Sequence, residues 1–175
     1  MATIPRWLDR QFATDLDPSL HPNLLARLRG TPARLEEAAR AVSPEVRTAR
    51  PGGTWSIQMN AGHLLDLEDL FAARVEDYRA ERETLTPWDG TNEATESAGH
   101  DDRPTDDLLS AFRRARGTIV AHFDHLPPAA FARTALHPRL ERPMRLLDLM
   151  LFQAEHDDHH LARIHELSAA PGPSA

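Results

Sequence analysis

The sequence predicts an all-α protein, a four-helix bundle with an N-terminal arm. Three observations predict it. The apolar residues are mainly Leu and Ala, with only 6% aromatics among 41% hydrophobic residues, a mix that favours helix over strand. Pro- and Gly-marked breaks divide the chain into four stretches with helical periodicity. No segment alternates convincingly with period two, and no internal repeat is present. A chain of 175 residues is long enough for one domain with a substantial core, taken here as residues 1–175.

The first helix is predicted over roughly 22–42, opening at Pro22 and turning Leu24, Leu25, Leu28 and Leu35 inward. Ser43-Pro44 and Pro51-Gly52-Gly53 end it. The second is predicted over 55–82, starting near Trp55 with Thr54 as its N-cap. A polar connection, 83–103, follows. The third helix, 105–126, opens on Thr105-Asp106-Asp107, acidic residues suited to the positive end of a helix dipole, and stops before Pro127-Pro128. The fourth is predicted over 143–167, and the tail AAPGPSA is expected to fray. The connections 83–103 and 127–142 are long enough for crossovers or for a lid over one end of the bundle.

Composition removes several function classes. The chain has no cysteine, so disulfides, Cys-ligated metal and a cysteine nucleophile are all absent. The formal charge is −7 and all twenty basic residues are Arg, with Arg113, Arg114 and Arg116 the densest group, expected on a solvated face. Such a balance argues against nucleic-acid binding, which needs a net basic surface. The N-terminus lacks the apolar core of a signal peptide and no run reaches membrane-spanning length. A cytoplasmic protein with no membrane partner is therefore expected.

Three histidines stand where the helical pattern calls for apolar residues. At 100° per residue, Met59, Leu67 and Leu70 lie within about 40° of His63. On the fourth helix Leu149, Phe152, Ile164 and Leu167 flank His156 and His160 in the same way. A His pair at i and i+4 shares one helix face and can converge on one metal ion, with a third His from another helix completing the set. A buried imidazole must satisfy two ring nitrogens, and a divalent metal satisfies one while leaving the other for an outer acceptor. Asp66 and Gln153, each one turn from a ligand, are candidates for that outer role. Three protein ligands leave coordination positions open for water or substrate.

The remaining histidines are weaker candidates. His165 points outward and His159 lies at the stripe's edge. Most of His21, His122, His125, His100 and His137 are expected at the surface, with His100 or His137 able to approach the site on a mobile connection. The run His156-Asp157-Asp158-His159-His160 differs from the zinc-protease motif H-E-x-x-H, because Asp157 replaces the Glu that serves there as base. A G-x-S-x-G elbow and a phosphate-binding loop are both missing from the sequence.

Trp55-Ser56, Gly62-His63-Leu64-Leu65-Asp66 and the run Ala154 to Ile164 resemble the DinB-like superfamily, over nearly the whole chain from the Trp7-Leu8-Asp9-Arg10 arm onward. The resemblance implies a four-helix bundle, often homodimeric, in which His63, His156 and His160 hold a divalent metal: zinc first, then nickel, iron or manganese. Relatives include thiol S-transferases that use bacillithiol or mycothiol, a maleylpyruvate isomerase and proteins described only as metal-dependent hydrolases. The implied function is thus a metal-dependent thiol S-transferase or hydrolase acting on a small molecule in stress or detoxification. A low-molecular-weight thiol would be its partner in the first case. The alternative is a non-catalytic, metal-binding, stress-response helical dimer. Trp55 and Asn60, with Arg145 and Arg163, are the residues expected to line the pocket, and no general base stands out.

Overall fold

A computed structural model describes residues 4–12 and 15–169. The expectation for the tail beyond Ala169 lies outside the described residues. Among the described residues, seven α-helices and one hairpin follow in chain order: α1 His21–Arg40, α2 Pro44–Thr48, α3 Ile57–Asp66, α4 Glu68–Arg79, α5 Glu93–Ser97, α6 Thr105–Asp124, β1 Thr134–His137, β2 Arg142–Arg145 and α7 Leu146–Ser168. The bundle consists of α1, the α3–α4 pair, α6 and α7, with an arm before α1.

Side-chain pairs give the helix directions. Arg40 reaches Asp106, Arg113 reaches Glu36 and Arg29 reaches Asp124, so α1 and α6 run antiparallel. Gln58 meets Thr105 and Glu68 meets Arg116, so α3–α4 runs parallel to α6. Asn60 meets His160 while His63 faces His156, so α7 opposes α3 and runs along α1. The order is up, down, down, up. α1 and α7 pack closely, as do α1 and α6, and α3 packs on both α6 and α7. Successive helices α1 to α3 and α6 to α7 therefore lie diagonally across the bundle, spanned by 41–56 and 125–145, while the 83–103 connection returns the chain between the neighbouring parallel helices α4 and α6.

The second predicted helix is two. Ser56, not Thr54, caps its start, its Oγ accepting the Met59 N–H at 2.9 Å. Leu67, at φ −88° and ψ −4°, then separates α3 from α4 although its N–H still donates to the His63 carbonyl. The fourth helix begins at Leu146 rather than 143. Residues 143–145 belong to β2, which pairs antiparallel with β1 in the register Thr134↔Arg145 to His137↔Arg142. Four-residue strands are too short to show an alternating pattern, and Pro143 masks the second. Tyr78 Oη donates to the Met144 carbonyl at 2.8 Å and Leu136 exchanges hydrogen bonds with the 83–85 segment, so the hairpin is fastened to the end of α4.

The core falls into two apolar clusters with a polar layer between them. One contains Leu28, Phe71, Phe123, Leu147 and Met150, the other Leu35, Ile57, Leu64, Phe112 and Ile164. Between them lie Thr31, Glu68, Arg116 and Asp157, all at most 2% exposed. Arg116 is not on a solvated face: with Phe112 and Val120 it continues the i, i+4 stripe of α6 that faces inward. Its guanidinium clasps Glu68 through Nη2 (2.6 Å) and Nε (3.0 Å) and pairs with Asp157, which also accepts from Thr31 Oγ1 at 2.7 Å. Pro32, inside α1, has no N–H to give the Leu28 carbonyl, and Arg116 Nη1 approaches that orphan oxygen at 3.4 Å.

Candidate metal centre

His63 projects from the middle of α3 and His156 and His160 from adjacent turns of α7. All three are buried, at 5%, 5% and 6% exposure, and one ligand nitrogen from each lies within 4.8 Å of the others. The structure brings together the three histidines singled out in the sequence.

Hydrogen bonds fix the protons of two of them, His160 and His63. Asn60 Nδ2 donates to the Ser56 carbonyl at 2.8 Å, which turns its Oδ1 toward His160. His160 Nδ1–H donates to that oxygen at 2.8 Å, so His160 Nε2 carries a lone pair. Thr95 Oγ1 donates its one proton to Asp66 Oδ2 at 2.7 Å and can only accept from His63 Nδ1–H at 3.0 Å. His63 Nε2 is thereby also a lone pair. His156 Nε2 stands 3.2 Å from His160 Nε2, and His156 Nδ1 is buried without a partner. Two nitrogens bound tetrahedrally at zinc-like distances would be about 3.3 Å apart. The donor set, the spacing and the preset tautomers all fit a divalent cation.

Electrostatics agree. Burial holds His63 down, to about 4, against the pull of Asp66, and burial also drives His156 and His160 well below the ordinary imidazole value. Neutral imidazole is the form that binds metal.

Each further sequence expectation has a place. Asn60 contacts His160 directly. Asp66 acts on His63 through Thr95 and also accepts from His100 Nε2 at 2.9 Å. Gln153 lines the cavity and donates to Asp157 at 3.2 Å rather than to a histidine. Trp55 packs 4.8 Å from the His63 ring and donates through its Nε1 to Glu96. Arg163 lines the cavity, but Arg145 does not: it caps α7 through Asp148, at 2.7 Å, and reaches the Leu16 carbonyl. His122, His125 and His165 are exposed.

His100 and His137 are not at the surface; they are 3% and 1% exposed. His100 sits over Gly62, where any Cβ would overlap its ring, and this glycine beside the ligand was the available sequence signal. Thr95, in the short α5, carried no such signal. Trp7, which the sequence marks only as the start of the arm, also reaches the site; its ring stands 4.9 Å from that of His156 and 5.0 Å from that of Phe152.

The three histidines open onto a cavity of about 370 Å³, the size of a small-molecule site. Trp7, Trp55 and Trp88 line it, with Leu70, Phe71 and Phe152 among its apolar residues.

The fold and the site together define a class: four-helix bundles with a three-histidine centre facing a cavity. The model of the DinB superfamily matches residues 27–164, and the chain belongs to that superfamily. Among solved structures, it is similar to YfiT from Bacillus subtilis, described as a probable metal-dependent hydrolase with an unusual four-helix bundle topology. The likeness has a TM-score of 0.79 at 20% identity and covers 91% of each chain. Among curated proteins, none matches.

Proposed function

We propose that this protein is a divalent-metal-dependent enzyme, a hydrolase or thiol S-transferase, acting on a small molecule held in the cavity beside His63, His156 and His160. One observation carries the reading: the Nε2 lone pairs of His63 and His160, fixed by Thr95 and Asn60, converge with His156 at the wall of a cavity. A divalent ion held there supplies Lewis acidity, enough to polarise a substrate oxygen or lower the pKa of a water or thiol.

The chain's own residues do the rest. Asn60 and Thr95 hold the imidazoles in the metal-binding tautomer. Trp7 and Trp55 screen the site from bulk water. With no cysteine in the chain, the nucleophile enters from outside, as water in a hydrolase or as a low-molecular-weight thiol in a transferase. A purely structural metal would sit in a closed shell of ligands, and the three histidines border a cavity instead. YfiT's description as a probable metal-dependent hydrolase runs in the same direction. Zinc suits a three-imidazole donor set and is the first metal to test, with nickel next.

The test pairs metal analysis with His156→Ala. Purified wild type should carry one divalent ion per chain and the variant should lose it while remaining helical by circular dichroism. Wild type that stays metal-free after titration with zinc, nickel and manganese would end the proposal. Chromogenic esters and amides, then electrophiles offered with low-molecular-weight thiols, separate the two reactions.

A further inference from the structure

In a chain of net charge −7, the cavity beside the histidines has no carboxylate among its described lining residues, and it has three arginines. Two of these, Arg74 and Arg139, lie at the hairpin end. Asp77 is the carboxylate whose charge Arg74 feels, but it is taken up by Arg82 at 3.3 Å and by the Thr86 hydroxyl and N–H. Arg74 is buried, its Nε donates to the Thr86 carbonyl at 2.9 Å, and no carboxylate pairs with it among the described ion pairs. Arg139 is exposed at the rim and stands 5.8 Å over the Phe152 ring.

His137 also lines this cavity and adds a donor. Its Nδ1 accepts the Leu140 N–H at 3.3 Å, so the neutral ring carries its proton on Nε2, and that buried nitrogen has no partner. A buried N–H left unpaired is costly, and an oxyanion in the cavity would satisfy it. Burial, with Arg74 and Arg139 close by, holds the ring at about 4 and therefore neutral near pH 7.

We infer that the small molecule bound in this cavity is an amphipathic anion: its carboxylate or phosphate is held by Arg74, Arg139 and His137, its apolar body lies on Phe71 and Phe152, and its reacting group reaches the three histidines. The dimensions suit such a molecule. Arg74 lies eleven residues beyond His63 on the following helix, at most about 16 Å away along the chain at 1.5 Å per residue. The path between them is apolar: Leu67, Leu70 and Phe71 on one side, Leu149 and Phe152 on the other. The inference names the substrate class of the site proposed above, yet the anion end is separate from the metal end and can be tested without metal.

The test is calorimetric titration with three ligands sharing one flat body: 1-naphthoate, 1-naphthyl phosphate and neutral 1-naphthalenemethanol. Each is titrated into metal-loaded and into chelator-treated protein. At least one anion should bind about tenfold or more tightly than the alcohol in both forms, the effect of one hydrogen bond to a charged group. The tighter anion identifies the headgroup. Arg139→Gln, a rim substitution with little effect on folding, should remove about tenfold from the anion and leave the alcohol unchanged. Arg74→Gln should do the same, with helicity checked by circular dichroism. Equal binding of alcohol and anions, failure of both anions to bind at millimolar concentration, or a preference that survives both substitutions would overturn the inference. If the metal reading alone is wrong, the protein takes up no metal but the anion preference persists.

Discussion

Replacing Thr95 with Val removes one oxygen from the structure while keeping the side chain's shape, and it should weaken metal binding by about 10- to 100-fold. That hydroxyl holds the His63 ring through a 3.0 Å bond and is itself aimed by Asp66 at 2.7 Å. Without it, His63 Nδ1–H is a buried donor with no acceptor, a loss of about 1–3 kcal/mol. The ring's escape is to move its proton to Nε2, the nitrogen the metal needs, and binding must then reverse that shift. The same 1–3 kcal/mol corresponds to roughly 5- to 150-fold in affinity, in line with the first figure. Affinity is read by competition with a chromophoric chelator, and cobalt substitution reports the coordination geometry. Thr95→Ser keeps the hydroxyl and should bind within a few-fold of wild type. If Thr95→Val binds metal as wild type does, with its helix content intact, Thr95 does not orient His63 and the tautomer argument fails.

Other outcomes follow from the same geometry. His63 is held at about 4 in the fold against 6.5 when unfolded, so the unfolded chain binds more protons between those values and stability drains away as pH falls through the window. The difference corresponds to roughly 3 kcal/mol. Burial pushes the Glu68 carboxyl the other way, up to about 7, so the readout is the difference between metal-free wild type and His63→Phe across a urea series at several pH values; parallel pH profiles would contradict it. Gly62→Ala places a methyl where the His100 ring lies and should lift the 95–102 segment, loosening metal binding; an affinity equal to wild type would show that His100 does not press on α3. Arg116→Met leaves Glu68 and Asp157 buried without a cation and should cost about 3–5 kcal/mol in urea unfolding, whereas a loss below about 1 kcal/mol would remove the network from the account of stability.

Much of this was legible in the sequence because helical periodicity is a long-range signal. Apolar residues at helical spacing marked α1 and α6, and the corresponding stripes of α3 and α7 showed three histidines out of place. What stayed hidden was decided by contacts too short or too distant in sequence to leave a pattern. The β1–β2 hairpin is four residues per strand and owes its existence to Tyr78 and the 83–85 segment. Thr95 and His100 reach the site because the α5 segment folds back onto α3 at Gly62, a tertiary event. Arg116 was misread because three arginines close together look like a solvated face, although only one of them falls on the inward stripe.

The placement of Asp157 directly after His156 ties the site to the bundle's core. Asp157 accepts from Thr31 on α1 and from Arg116 on α6, and Arg116 in turn grips Glu68 on α4. The turn of α7 that carries a histidine of the trio is thus anchored to the other helices by a buried layer, not by apolar packing alone. Apolar contacts tolerate small slides of one helix on another, whereas a guanidinium shared between two carboxylates fixes both distance and angle. Asp157 and Glu68 share that one guanidinium, and with burial raising the Glu68 carboxyl to about 7 the layer depends on Arg116 as its single cation. Loss of Arg116 should therefore damage the centre as well as the fold. Under conditions where Arg116→Met remains folded, its metal affinity should fall below that of wild type although no ligand has been touched.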